Sequence, residues 1–118
     1  MEATDFLPIV KIDEDDTYKY VQIQYNNKIY IRGRGDCKYH KNVYKTFLNE
    51  LREIGLNPEG KTQVLGGGRI KFDSGKKTIF IYGYSNAYGR YEGQHEKSRE
   101  LIQGAFPGYK VTWSDEGY

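Results

Sequence analysis

A single cysteine, three prolines, two histidines and one tryptophan are all that this chain of 118 residues carries of those types. With Cys37 alone, no internal disulfide can form and every zinc pattern built on paired cysteines is excluded; a lone thiol fits a reducing compartment. No apolar run approaches the length that spans a bilayer, and Met1-Glu2-Ala3-Thr4-Asp5 lacks the basic and apolar regions of a secretory signal. These absences point to a cytoplasmic protein without a membrane partner. Charge of one sign is scarce as well: a net charge of +2 does not by itself imply a nucleic-acid partner, although a pI near 8.5 permits a local basic surface. The acidic run Asp13-Glu14-Asp15-Asp16 does not follow the spacing of a calcium loop, and no His/Asp/Glu set has metal-ligand spacing, so neither a metal nor another cofactor is expected.

Tyrosine is abundant, with 12 copies, and so is glycine, with 14. A core built partly from amphipathic rings suits strands better than a helical bundle. The length is that of one domain, 1–118, and no linker interrupts it. Leu7 to Ile12 reads as a short strand. From Tyr18 to Tyr25 the side chains alternate, with Val21, Ile23 and Tyr25 on a face that looks buried, Lys19 at its end, and Tyr18, Tyr20, Gln22 and Gln24 on the other. Asn26-Asn27 tolerates positive φ and turns the chain into a partner strand, Ile29 to Arg32. Apolar positions Val43, Tyr44, Phe47, Leu48, Leu51 and Ile54 recur at helical spacing over His40 to Ile54, with Gly55 as a left-handed stop. Three strands are expected over Thr62–Leu65, Arg69–Phe72 and Thr78–Tyr84, the first two separated by a reversal at Gly66-Gly67-Gly68. A helix over Glu96–Gln103 and a strand over Tyr109–Trp113 complete the order. Two strand-helix-strand passages predict parallel pairs in an otherwise antiparallel sheet: an α/β domain with a mixed sheet of about six strands and two helices.

Chemistry concentrates at few positions. Gly83-Tyr84-Ser85-Asn86-Ala87-Tyr88-Gly89 leaves a β-branched and aromatic strand, and small residues there let the main chain of Ser85, Asn86 and Ala87 converge on an anion. It lacks the lysine and hydroxyl residue of a Walker loop and the spacing of a dinucleotide fingerprint. His40, at the first turn of the first helix, meets the positive end of the macrodipole, which favours the neutral imidazole that accepts a proton or attacks phosphorus; as an isolated feature it reads more simply as a surface residue. Lys19 is the odd member of an apolar strand face, a phosphate-binding ammonium or a solvated strand end. Arg69 offers a fork of donors to a phosphate. Cys37 sits between Arg34 and Lys38, which would lower its pKa, but no Cys-x5-Arg loop surrounds it, so it reads as a passive thiol.

Tyr18-Lys19-Tyr20-Val21, Tyr39-His40, Leu65-Gly66-Gly67-Gly68-Arg69-Ile70, Tyr82 to Gly89 and Val111-Thr112-Trp113-Ser114-Asp115-Glu116-Gly117-Tyr118, in that order, resemble the small phosphohistidine phosphatase family, which also contains the Janus and Ocnus proteins. The resemblance runs nearly end to end. It implies a metal-independent hydrolase that removes phosphoryl groups from proteins carrying phosphohistidine, with phospholysine as the alternative substrate; a monomer is expected. By residue matching, His40 is the catalytic histidine, acting as general base or transient nucleophile. Lys19 and the main chain of Ser85, Asn86 and Ala87 hold the phosphate, Arg69 lies near the site, and Arg32 matches another basic position. His95 is assigned no catalytic role. The Asn26-Asn27 connection is shorter than in vertebrate members, and Asn86 stands where they carry methionine. Two other functions are compatible with the residues: a phosphoprotein-binding module that uses the same anion cradle without turnover, and a single-strand nucleic-acid binder built on interleaved Tyr and Lys.

Overall fold

A computed structural model describes residues 7–58 and 60–115, so the Glu116-Gly117-Tyr118 end of the last motif and the acidic Met1–Asp5 lie outside the described residues. The elements are β1 (Val10–Ile12), β2 (Thr17–Tyr25), β3 (Lys28–Arg34), α1 (His40–Glu53), β4 (Thr62–Asp73), β5 (Thr78–Tyr82), α2 (Gln94–Ala105) and β6 (Lys110–Trp113). They build one mixed sheet in the order β1-β3-β2-β4-β5-β6, in which β1 and β3 are parallel, β5 and β6 are parallel, and every other pairing is antiparallel. The α/β class, the mixed sheet of six strands and the two helices agree with the sequence reading, although two of its strand candidates, Thr62–Leu65 and Arg69–Phe72, are one strand. No helix among the described residues is long and apolar enough to cross a membrane.

Local chemistry explains the hairpin and the helix. Asn26 and Asn27 adopt φ of 49° and 66°, the pair of positive values that a two-residue turn between twisted strands requires. Helix α1 stops at Gly55, φ 83°, where the Leu56 N–H donates to Leu51 O at 2.9 Å and the Gly55 N–H to Arg52 O at 3.0 Å. Leu51 and Leu56 also pack in the same apolar cluster, which fixes the exit of the helix.

The helices cover opposite faces. Val43, Phe47 and Leu51 of α1 pack on Val21, Ile23, Tyr25 and Tyr30, whereas Ile102 of α2 packs with Tyr18, Tyr20, Ile70, Phe72, Ile79, Ile81 and Val111. Strand β2 is therefore buried on both sides: Tyr20 and Gln22, which alternation places on the polar side, are as inaccessible as Val21 and Ile23. Strand β1 is shorter than Leu7–Ile12, though Leu7 is still buried against the α1 cluster.

The largest departure is at Gly66-Gly67-Gly68, where the sequence predicts a reversal between two strands. Thr62–Asp73 is one strand of 12 residues, with a register shift opposite Gln22 and Ile23. The glycines serve close approach from both faces. A Cβ on Gly66 would sit 2.0 Å from Gln94 Oε1, one on Gly67 2.7 Å from His40 Cδ2, and one on Gly68 2.8 Å from His95 Cε1. Side chains from both helices thus press on one glycine strand, and only residues without a Cβ leave them room.

Arg32 is a brace for the α1 side. Only 2% exposed, it donates to Glu50 Oε2 at 2.8 Å, to Pro8 O at 2.8 Å and to Ile31 O at 2.9 Å, and its guanidinium carbon lies 5.0 Å from the Phe47 ring centre. Its charge ties β3 to α1 and to the segment before β1. Arg32→Ala should lower unfolding stability by about 3 kcal/mol, because Glu50 and the carbonyls are left without their buried partner. Chemical denaturation checks this; a loss below about 1 kcal/mol contradicts the bracing role.

Candidate active site

His40 is the first residue of α1, and Tyr39 just before it is extended, with its N–H donating to Asn42 Oδ1 at 3.2 Å. The ring is turned inward, 6% exposed, because the missing side chain at Gly67 leaves it room against β4. Nε2 is 2.9 Å from Gly68 O. A carbonyl only accepts, so Nε2 carries the hydrogen in the neutral ring and Nδ1 keeps its lone pair. The imidazole pKa is lowered from 6.5, first by burial and then by the charges of Lys19 and Arg69, with the bond to Gly68 opposing them. Burial thus leads, where the sequence alone suggests the helix dipole; both act in the same direction.

Lys19, His40, Asn86 and Ala87 line one pocket of about 240 Å³, together with Tyr39 and Lys41, which the sequence reading does not single out. Among the described residues, none that lines it is acidic. Arg69 is the cross-strand partner of Lys19 on β4, and Arg34 its partner on β3, so three cations stand in one row across the sheet. Arg34 pairs with Asp36, at 2.7 Å. Like charges placed directly opposite each other on a sheet cost stability unless an anion joins them. Lys19 and Arg69 also share a second pocket of about 280 Å³ with Lys38 and Cys37.

Ser85 stands differently from its neighbours in the loop. It is 1% exposed, and its hydroxyl oxygen accepts the N–H groups of Ala87 at 3.2 Å and Tyr88 at 3.0 Å. The Gly89 N–H donates to Ser85 O at 2.7 Å, and the Gly67 N–H to Gly89 O at 3.0 Å, which clips the closed loop onto the glycine strand. Ser85 therefore shapes the turn that carries Asn86 and Ala87 to the pocket. The Cys37 thiol is pushed up rather than down, by burial and then by Asp36; Arg34, expected from the sequence to lower it, is engaged with that carboxylate.

Behind the glycine strand, on the α2 face, lies a buried polar network that no sequence motif announces. His95, fully buried, donates from Nε2 to Gly83 O at 2.7 Å, and its Nδ1 accepts the Tyr20 hydroxyl at 2.6 Å. Gln94 Nε2 donates to Tyr20 Oη and to Gly67 O, each at 3.1 Å, and Gln22 Nε2 to Ser98 Oγ at 2.9 Å. Among the described residues no buried side-chain polar atom lacks a partner. The available signal was polar residues at alternate positions of β2, Tyr20 and Gln22, opposite Gln94, His95 and Ser98 of α2.

Both imidazoles resist protonation, since the His95 pKa is also lowered from 6.5, chiefly by burial. The unfolded chain takes up protons as pH falls below 6.5, while the folded chain accepts them only at lower pH. Stability is therefore full above that value and is lost as pH falls through the native pKa values. Thermal melts should show a falling midpoint between about pH 7 and about pH 5; a flat or rising midpoint contradicts neutral buried rings.

A model of the Janus/Ocnus family (Ocnus) matches residues 4–110. The 14 kDa phosphohistidine phosphatase of Sus scrofa is 38% identical over 123 aligned positions, covering 95% of this chain and 93% of that protein. The human protein of that name is 37% identical, over 95% and 94%. The sex-regulated protein janus-A of Drosophila pseudoobscura pseudoobscura is 32% identical, over 95% and 78%. On both the family match and these identities, the chain belongs to the Janus/Ocnus family.

Proposed function

We propose that the protein is a metal-independent phosphatase that hydrolyses the P–N bond of phosphohistidine in proteins. The observation that carries this reading is a neutral, buried imidazole with Nδ1 unprotonated, in a pocket lined by cations and by no carboxylate. The relatives named phosphohistidine phosphatase add to it. In this mechanism Lys19 and Arg69, with the main chain at Asn86 and with the Ala87 N–H exchanging Ser85 Oγ for the anion, hold the phosphoryl oxygens while charge spreads over them in a loose transition state. Water attacks phosphorus along the axis opposite the substrate imidazole, and His40 Nδ1 takes its proton. The P–N bond breaks with its electron pair going to the substrate ring, which leaves protonated on its other nitrogen, and phosphate is released. A protonated imidazole is a good leaving group, so the chemistry needs little more than positioning and charge.

General-base action is favoured over a phosphorylated His40. Among the described residues the pocket lining holds no second imidazole and no carboxylate to activate water against a phospho-His40, and His95 is sealed on the opposite face of the sheet. Rapid-quench mass spectrometry should find no kinetically competent adduct on His40. The decisive assay follows phosphate release from a phosphohistidine peptide in excess EDTA. Lys19→Ala is expected to raise KM about tenfold and to lower kcat less, since it removes ground-state capture as well as transition-state charge. Binding of the peptide without any release of phosphate would instead assign the chain to the phosphoprotein readers.

A further inference from the structure

The β4–β5–β6 half of the sheet has one face that neither helix covers. Helix α1 lies over β2 and β3, and α2 packs on the other side, so side chains that β4 to β6 present toward the α1 side stand open among the described residues. Register puts them in order: Arg69 beside Tyr82, Lys71 beside Phe80, Phe80 beside Thr112, and Thr78 beside Lys110. Phe80 and Tyr82 stack with ring centres 5.2 Å apart and planes 15° from parallel. Both rings are only half-buried, whereas Lys71 and Lys110 are exposed and neither forms an ion pair among the described residues. Two stacked rings left half in water, framed by two exposed lysines, leave apolar area and charge available to a partner.

This strip is continuous with the phosphoryl pocket, because Lys19 and Arg69 are cross-strand partners. Strands lie about 4.8 Å apart and same-face residues about 6.8 Å apart, which puts Lys71 roughly 8 Å and Lys110 roughly 20 Å from Lys19. An extended peptide advances about 3.4 Å per residue. The strip therefore lies under residues about two to six positions away from a phosphohistidine seated at His40.

We infer that the open face docks an acidic segment of the phosphorylated substrate protein, with carboxylates on Lys71 and Lys110 and an apolar side chain on the Phe80–Tyr82 stack. The inference rests on the phosphohistidine reading above. Charge favours a short acidic peptide over a nucleic acid. Lys71 shares a surface pocket with Asp15, Asp16 and Asp73, and Asp73 stands level with Thr78 and Lys110 across the strands, so a continuous polyanion crossing that end is repelled, whereas a short peptide can set single carboxylates against the two lysines. The net charge of +2 is likewise small for a nucleic-acid binder.

The test uses a labelled peptide with an unphosphorylated histidine flanked by glutamate and leucine, so it reads docking whether or not the chain is a phosphatase. The native chain should bind it, and Lys71→Glu combined with Lys110→Glu should weaken binding about tenfold, with a shallower salt dependence. On the phosphorylated form of the same peptide, the double variant should raise KM by a similar factor, with kcat and the hydrolysis of phosphoramidate unchanged. Equal affinity of native and variant chains overturns the inference. Tighter binding of oligothymidylate than of the peptide overturns it in favour of nucleic acid, and loss of phosphoramidate hydrolysis overturns it by moving both lysines into the phosphoryl site.

Discussion

Replacing His40 by alanine is expected to lower kcat on a phosphohistidine peptide about a thousandfold, with KM within about threefold of the native value. In the proposed mechanism the ring is the proton acceptor, and the residues proposed to grip the phosphoryl group, Lys19 and the turn at Asn86 and Ala87, are positioned by β2 and by the Ser85 loop, independently of it. Removing the imidazole also leaves Gly68 O without its side-chain donor, at a stability cost of about 1–2 kcal/mol. Steady-state kinetics below the melting range separate the two effects. Retention of more than about a tenth of the native kcat would remove His40 from the chemistry.

The second large effect is expected from a single methyl group. Gly67→Ala places a Cβ 2.7 Å from His40 Cδ2, 2.9 Å from Ser85 Cβ and 2.9 Å from Tyr20 O. In a strand, alanine is ordinarily better than glycine by about 0.5–1 kcal/mol, so a stabilised variant would be the default expectation. Here the added carbon meets a backbone carbonyl, the His40 ring and the loop serine, and these three are themselves tied into β2, α1 and the loop. Overpacking of this kind costs about 1–3 kcal/mol. Displacing the imidazole by a few tenths of an ångström to an ångström should lower kcat about a hundredfold, more than the loss of stability explains. Melting curves and kcat measured on the same preparation test it; unchanged kcat would show that the ring position is not set by the glycine strand.

How far the sequence discloses this arrangement depends on whether a residue's role is local. The hairpin at Asn26-Asn27, the helix that His40 opens and the Gly55 stop are written in φ preferences and apolar spacing within a few residues, and the structure has each where it is expected. Gly66-Gly67-Gly68 reads locally as a turn, but its glycines answer to His40 from one helix and to Gln94 and His95 from the other, contacts between positions far apart in the chain. Tyr20 and Gln22 look solvent-facing for the same reason: α2, which buries them, follows about seventy residues later. Lys19, His40, Asn86 and Ala87 meet at one pocket as the resemblance implies, while Ser85 turns its hydroxyl into its own loop and Arg69 stands beside Lys19.

Heteronuclear NMR of the His40 ring through a pH titration tests the central claim most directly. The account predicts a neutral ring protonated on Nε2, with a titration midpoint below 6.5 that rises when inorganic phosphate is added, because a bound anion favours the imidazolium. A ring protonated on Nδ1, or a midpoint above 6.5 in the absence of phosphate, would contradict it.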